Sequence, residues 1–226
     1  MIKIEKQKIA HNLLLKKISG KGSVKWTEKG EIFVWNVPAM LFPINTFVFL
    51  QKTLELKYGD DAKHILYQLG KLQAKMGTEI MIDKFGFKRD KQTFEFTNQQ
   101  TQLIGNGVLE FIKCDFKNKY FLLKNFHVPF ARHYLRTYGL QKEPVDHFIR
   151  GTIAGGTIPY VQDESMVVIE KQCIAMGKPY CIFEAKQEDK WDLKDKLVKS
   201  QFPEDTIDLK KLGKHLGLRG LIRPQI

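Results

Sequence analysis

The chain has 226 residues, of which 43% are hydrophobic and 12% aromatic, enough to bury one good core and to predict one domain with appendages. No internal repeat or low-complexity segment is visible, which excludes a repeat architecture. The formal net charge of +12 raises the question of a nucleic-acid partner, and the distribution of the charge bears on the answer.

Residues 1–30 form a basic segment that supplies half of this charge. They hold eight lysines against two acidic residues, Glu5 and Glu28, a contribution of +6. Such an arm can bind phosphates by releasing counterions. Its lysines are interleaved with isoleucine and leucine, however, as on the solvated face of an ordinary element, and no RNP motif, zinc-finger spacing or helix-turn-helix accompanies them. Specific nucleic-acid binding is therefore not expected, and the role of this segment stays open.

The next feature is an apolar run over residues 38–50 that contains Pro43. It is too short and too interrupted to cross a membrane, because a spanning helix needs about 20 mostly apolar residues. We predict the buried start of a helix, with Pro43 in the first turn, and no membrane span. A second helix follows, because apolar residues recur with helical spacing from Ile65 to Met76. Gly77 is expected to end it.

Strands are predicted in the second half of the chain. Residues 107–116 and 120–124 indicate a hairpin with its tip at Asn118. Cys114 alternates with Phe111 on the first of these strands and lies far from the other cysteines in sequence. We therefore expect Cys114 to be a core or edge residue and not a metal ligand. A helix over 130–138 should follow.

The order of the elements, with helices and strands in separate runs, predicts an α+β fold with an antiparallel sheet packed with helices. After Ala185 the composition becomes charged and polar, which suggests that the core domain ends there. The predicted organisation is a basic segment over 1–30, a core domain over 31–186, and a charged tail over 187–226. A short helix after Pro203 should pack on the core or on a second subunit.

A carboxylate and two cysteines stand close together in the last part of the predicted core. Residues 166–170 and 181–184 indicate two strands, and a turn at 177–179 would bring Cys181 back toward Cys173 and Glu170. These side chains could bind one zinc ion in tetrahedral geometry. The alternatives are two buried, reduced cysteines or a disulfide. Three cysteines in a chain without a signal peptide indicate a reducing, cytoplasmic compartment.

The same stretch resembles the 4-vinyl-reductase-type ligand-binding domain family, also called hydrocarbon-binding domains. That family has a strand with E-x2-C, then A-x-G, then a second cysteine followed by an aromatic residue, and here stand Glu170, Cys173, Ala175, Gly177, Cys181 and Phe183. Upstream it has proline, valine and cysteine before a glycine-rich helix start. Here Asp146 replaces that cysteine, within residues 144–156. The resemblance covers most of residues 30–186.

The resemblance implies a zinc site like that of the phenol-responsive sensor domains in the family. Glu170, Cys173 and Cys181 carry over directly as ligands. Asp146 takes the fourth place by alignment, with the neighbouring His147 as the alternative. Four protein ligands leave no position for water, so the zinc would be structural.

The resemblance also implies a function and a fold. The fold would be that of ligand-binding domains in nitric-oxide-signalling and Golgi-transport proteins. The function would be binding or sensing a hydrophobic or aromatic small molecule, by a homodimer. Alternatives are an assembly subunit, like vesicle-trafficking subunits of this fold, or a vinyl reductase component. A reductase would need a redox partner, because no G-x-G-x-x-G or Fe–S cysteine motif is present, so an enzyme is the less favoured interpretation.

Overall fold

The structure is a computed structural model and describes residues 24–34, 37–100 and 105–203. These residues divide into two compact units, 24–42 and 43–203. The first unit is an antiparallel sheet of three short strands in sequential order, β1 (Val24–Trp26), β2 (Ile32–Val34) and β3 (Val37–Ala39). The domain boundaries at residues 30 and 186 stay predictions.

The second unit begins with α1 (Ile44–Tyr58), a helix that was predicted here, although Pro43 precedes its first turn as the N-cap and does not lie within it. The apolar residues that precede it are not buried, because Met40, Leu41 and Phe42 are 72%, 77% and 61% exposed. The expectation of a buried run was therefore wrong for these residues. A dense apolar run suits an interface as well as a core, and composition does not separate the two.

The next helix, α2 (Asp61–Phe85), is longer than predicted. Gly77 lies inside it, and the helix ends at Gly86, which has a left-handed φ of 64°. Apolar residues continue with helical spacing beyond Gly77, and one interior glycine costs a helix only about 1 kcal/mol, so the helix runs on. It is followed by α3 (Lys91–Gln100), which the sequence pattern did not reveal.

A four-stranded antiparallel sheet forms the other layer, which confirms the predicted α+β class. It consists of β4 (Leu109–Asp115), β5 (Tyr120–Asn125), β6 (Met166–Gln172) and β7 (Cys181–Gln187) in the spatial order β4-β5-β7-β6. Both predicted strand pairs are confirmed. Between β5 and β6 lie α4 (Pro129–Tyr138), which ends at Gly139 as expected, and α5 (His147–Val161).

Three glycines allow α2 and α5 to pack with their backbones in direct contact. A Cβ atom placed on Gly155 of α5 would overlap the Lys71 carbonyl and lie 2.9 Å from Lys71 Cα. One placed on Gly151 would lie 2.9 Å from Lys71 N, and one on Gly70 of α2 would lie 3.0 Å from Thr152 N. Any side chain at these positions would push the helices apart. This contact fixes the position of α5, whose first turn borders the candidate site.

The sheet is covered on both faces along β6. Met166 and Val168 point into the main core, which includes Ile153 and Ile158 of α5. Val167 and Ile169 point to the opposite face, where they form a second buried cluster with Trp191 and Val198. The segment after β7 therefore packs on the outer face of the sheet. It contains the short helix α6 (Lys196–Lys199). The helix predicted after Pro203 lies outside the described residues.

Among the described residues, no helix combines the length and the apolar content that crossing a membrane requires.

Candidate metal centre

Four side chains from three parts of the fold meet next to the first turn of α5. Asp146 directly precedes α5, Glu170 lies on β6, Cys173 follows β6, and Cys181 opens β7. The antiparallel pairing of β6 with β7 brings Cys181 back beside Glu170, because Glu170 is paired with Phe183. A short 3-10 turn (Ile174–Met176) and Gly177, with a φ of 79°, close the connection.

One potential ligand atom from each of these four residues lies within 4.8 Å of the other three. Asp146 is 1% exposed, and Glu170, Cys173 and Cys181 are fully buried. Asp146 Oδ2 lies 3.2 Å from Cys181 Sγ and 3.8 Å from Cys173 Sγ. Asp146 stands where an aspartate usually caps a helix, yet its side chain accepts no hydrogen bond from α5. Its carboxylate faces the two thiols instead.

The arrangement fits a bound cation. Asp146 Oδ1 and Glu170 Oε1 are buried and have no hydrogen-bond partner outside this four-residue cluster among the described residues. Buried polar atoms without partners are rare and costly, and a bound ion is one of the few physical explanations. Two sulfur and two carboxylate donors in a compact group match the ligands and coordination number of zinc. These four side chains therefore have the ligand types expected for zinc, the metal that the resemblance implies.

The electrostatics of the metal-free cluster point the same way. Burial raises the pKa of Asp146 to about 6, and burial together with the charge of Asp146 raises the pKa of Glu170 well above its usual value. Burial and the hydrogen bond with Cys173 also raise the pKa of the Cys181 thiol. Four acids this close in a dry site cannot all ionise unless a cation compensates their charge. Without one, the cluster holds protons.

His147, the alternative fourth ligand, lies apart from this group. It is the first residue of α5 and is 3% exposed, and its Nδ1 lies 3.5 Å from Arg150 Nη2. Burial, followed by the charge of Arg150, lowers the pKa of His147 well below its usual value. The structure thus brings Asp146, and not His147, to Glu170 and the two cysteines.

The remaining expectations about cysteine can be compared directly with the structure. Cys173, Cys181 and Cys114 are all free, so the disulfide alternative has no support in it. Cys114 lies on β4, an edge strand, and packs half-buried against the core. Burial raises its pKa to about 11. It is not one of the four residues that lie close together at the candidate site.

Sequence reasoning missed the residues that surround the cluster. β6 is an edge strand, and its outer edge is closed by side chains instead of by another strand. Tyr67 Oη accepts a hydrogen bond from Val168 N (3.3 Å), and Arg150 Nη1 donates to Val168 O (3.0 Å). Gln201 pairs with both backbone groups of Glu170, each at 3.0 Å. Arg150 could have been noticed in the sequence, because a charged residue inside the apolar stretch of α5 is unusual. Nothing in the sequence around Tyr67 or Gln201 indicates their role.

Arg150 is fully buried, and its positive charge interacts with both carboxyl groups of the cluster. Burial lowers its pKa to about 10, which keeps it protonated at neutral pH. Its guanidinium carbon lies 5.0 Å from the centre of the Tyr67 ring. Arg150 supplies one positive charge against four ionisable acids. A divalent cation would balance the negative charge that Arg150 leaves uncompensated.

No protein-family model matches the sequence, and a comparison with curated proteins also gives no match. Among solved structures, the chain is similar to the phenol-responsive sensory domain of the transcription activator PoxR with phenol. The TM-score is 0.70 at 15% identity, covering 80% of this chain and 93% of that one.

Two other solved structures resemble the chain more distantly. One is a vinyl-4-reductase family protein from Methanocaldococcus jannaschii (TM-score 0.46, 22% identity, 66% of this chain and 83% of that chain). The other is trafficking protein particle complex subunit 3 from Naegleria fowleri, covalently bound to palmitic acid (TM-score 0.47, 13% identity, 64% and 92%). These two likenesses are too weak to carry an argument of their own.

The protein therefore has the α+β fold of the phenol-responsive sensory domain, and the 4-vinyl-reductase-like fold expected from its sequence is confirmed. At 15% identity the likeness establishes the fold alone.

Proposed function

We propose that this domain binds a small hydrophobic or aromatic molecule and carries a structural zinc ion held by Asp146, Glu170, Cys173 and Cys181. One observation carries the metal proposal: four buried donors converge, and two of their carboxylate oxygens have no partner outside the cluster among the described residues. His147 is the less favoured ligand, because its Nδ1 is directed at Arg150.

A zinc ion here would cross-link two parts of the fold. Its ligands come from the start of α5 and from the β6–β7 hairpin, which are also joined by the hydrogen bond from Asp146 N to Glu170 Oε2 (3.2 Å) and by the thiol contacts to Asp146. Four protein ligands fill a tetrahedral zinc ion, so the expected role is stability and not catalysis. Ile174 N donates to Cys181 Sγ (3.3 Å), which favours the thiolate that zinc requires.

The small-molecule part of the proposal is supported by the fold and by an apolar stripe on α2. Leu72, Met76 and Ile80 follow one another at intervals of four residues, and each is only half-buried. Half-buried apolar side chains suit a concave site for a small molecule, since such sites are lined mainly by apolar groups. The sensory domain that shares this fold was solved with phenol, so a phenol-like aromatic is the first probe to use.

The proposal is tested by metal analysis and native mass spectrometry of the untagged protein. We expect about one zinc ion per chain and, in the native spectrum, a retained apolar molecule or binding of added phenol. The Cys173→Ser, Cys181→Ser double variant should lose the zinc, whereas Cys114→Ser, the matched control, should keep it. Wild-type protein with neither metal nor ligand would contradict the proposal and favour an assembly subunit instead.

We further propose that the domain is a homodimer in the cytoplasm. Reduced, metal-binding cysteines suit a reducing compartment. Phe49, Leu50 and Leu56 on α1 are 52%, 49% and 78% exposed, and Phe49 and Leu56 have the seven-residue spacing of a seam between two helices. A second copy of α1 presents the same apolar surface, as a two-fold interface requires.

The dimer proposal predicts a change in mass. Leu56→Glu would place a charge in the apolar seam and should convert the protein to a monomer, measured by light scattering after size exclusion. Ile112→Glu, which alters an equally apolar residue that is 54% exposed on β4, should leave the dimer intact. A wild-type protein that is monomeric at high micromolar concentration would rule the interface out.

A further inference from the structure

We propose that Gln201 and Arg150 are positioning residues for the metal centre, so that zinc binding and the docking of residues 188–203 on β6 stabilise each other. The inference rests on the metal site proposed above and extends it to the regulation of a part of the chain that contributes no ligand. We call residues 188–203 the C-terminal clip.

The clip is joined to the backbone of a proposed ligand. Gln201 is 2% exposed, its Oε1 accepts from Glu170 N and its Nε2 donates to Glu170 O, both at 3.0 Å. A primary amide thus takes the place of the neighbouring strand that an edge residue such as Glu170 lacks. Because both bonds go to the residue that bears the carboxylate, they fix the direction in which Glu170 presents its side chain to the site.

Arg150 also joins the clip to the same edge of β6. Its Nη1 donates to Val168 O (3.0 Å) and to Gln201 O (2.9 Å), so one guanidinium group bridges β6 and the clip. Arg150 lies one turn after Asp146, and its backbone N–H donates to Asp146 O (2.9 Å). The bridge therefore links the element that carries Asp146, the strand that carries Glu170, and the clip.

The rest of the clip is anchored independently of the metal centre. Trp191 and Val198 pack with Val167 and Ile169 on the outer face of the sheet. Asp195 caps α6 by accepting from Leu197 N (2.8 Å) and forms an exposed ion pair with Lys171 (3.4 Å). Release of the metal should therefore loosen the Gln201 end of the clip first and leave a partly anchored segment.

Coupling between the two events has to be reciprocal. If a docked clip orders Glu170 for metal binding, then bound metal must favour the docked clip by the same factor. Residues outside the ligand set that orient ligands typically change metal affinity by about 10- to 100-fold when they are replaced. We expect an effect in that range from Gln201, which has no direct contact with the ion.

Limited trypsin digestion of the full chain with zinc and with excess chelator tests the coupling without any variant. Chelation should speed cleavage at Lys199, beside the Gln201 end of the clip, by about 10-fold, a factor that follows from the coupling expected above. Cleavage at Lys117, in the β4–β5 turn at the far end of β5 from Cys181, is the internal reference and should change little.

The matched variants are Gln201→Met and Lys171→Met, each assayed for zinc affinity by chelator competition. Gln201→Met keeps the length of the side chain but removes both hydrogen bonds to Glu170, and should weaken zinc binding about 10-fold or more. Lys171→Met removes the exposed ion pair between β6 and the clip, and should leave zinc affinity nearly unchanged, because such pairs contribute little.

The outcomes separate the two proposals. Zinc binding by wild-type protein, with a clip that digests equally fast with and without zinc and a Gln201→Met variant of normal affinity, would overturn the coupling and leave the metal site standing. No zinc binding by wild-type protein would overturn the metal site and the coupling together. Zinc protection of the clip, weakened specifically by Gln201→Met, would support both.

Discussion

Gly155→Ala should destabilise the protein by about 3 kcal/mol, whereas Gly156→Ala, one residue further along the same helix, should have no such cost. A Cβ atom added at position 155 would overlap the Lys71 backbone carbonyl, which cannot rotate away. The first contact of a Cβ at position 156 is Thr78 Oγ1 at 3.8 Å, an ordinary distance. Alanine there should gain up to about 1 kcal/mol of helix propensity.

Both substitutions add one methyl group to the same helix, so a difference between them reports only the contact that each new Cβ makes. Thermal unfolding of the two variants beside the wild type measures it, and a loss of about 3 kcal/mol corresponds to roughly 10 °C in a domain of this size. Gly151→Ala should behave like Gly155→Ala, since its Cβ would meet the Tyr67 carbonyl. Equal melting temperatures for the variants at 155 and 156 would mean that α2 and α5 do not pack as closely as described.

The Gly155→Ala variant should also bind zinc more weakly. Moving α5 away from α2 moves Asp146, at the start of α5, relative to Glu170 on β6. Zinc affinity, measured by chelator competition, should fall for Gly155→Ala and stay near the wild-type value for Gly156→Ala.

Zinc should reverse the pH dependence of stability at this site. In the metal-free protein the pKa of Asp146 is raised to about 6 and that of Glu170 is raised further above its usual value. The folded state then binds more protons than the unfolded state, whose carboxyl groups titrate near pH 4. The stability contributed by these two acids is complete below about pH 4 and is lost as the pH rises through their folded-state pKa values.

Zinc binding requires the deprotonated ligands, so its contribution grows over the same pH range. The Cys181 thiol, whose pKa is raised, must release a proton, so the apparent zinc affinity should rise by at least about 10-fold per pH unit near neutrality. The difference in melting temperature between zinc-loaded and chelator-treated protein should therefore increase steadily from about pH 5.5 to about pH 7.5.

The difference in melting temperature between zinc-loaded and metal-free protein isolates the metal site, because the other carboxylates change the stability of both forms equally. Asp163 is one example. Its hydrogen bond with Lys119 lowers its pKa, so the stability that Asp163 contributes to the fold is lost only in acid. Titration calorimetry in buffers of different ionisation enthalpy counts the released protons directly. A zinc-dependent increment that is the same at both ends of this pH range would contradict the four-ligand assignment. Glu170→Gln, metal-free, should show a flatter pH profile than wild type.

Much of the fold could be predicted from local patterns. The hairpin over β4 and β5, the pair β6 and β7, and the end of α4 at Gly139 were expected from strand and turn residues and are confirmed. The end of α2 was wrong, because a single glycine is a weak stop signal where apolar spacing continues. Residues 40–42 were expected in a core and are exposed, since an apolar run does not reveal what covers it.

The sequence by itself determined the strand pairs of the larger sheet and the chemistry of the candidate site: the β6–β7 pair, the spacing of Glu170, Cys173 and Cys181, and an aspartate before a glycine-rich helix. These are features of neighbouring residues, and short-range backbone preferences settle them. Only the tertiary structure decided that Asp146 and not His147 faces the thiols, and that Tyr67, Arg150 and Gln201 close the edge of β6. Those contacts join residues far apart in the chain, and they depend on how closely α2 and α5 approach, which no local pattern encodes.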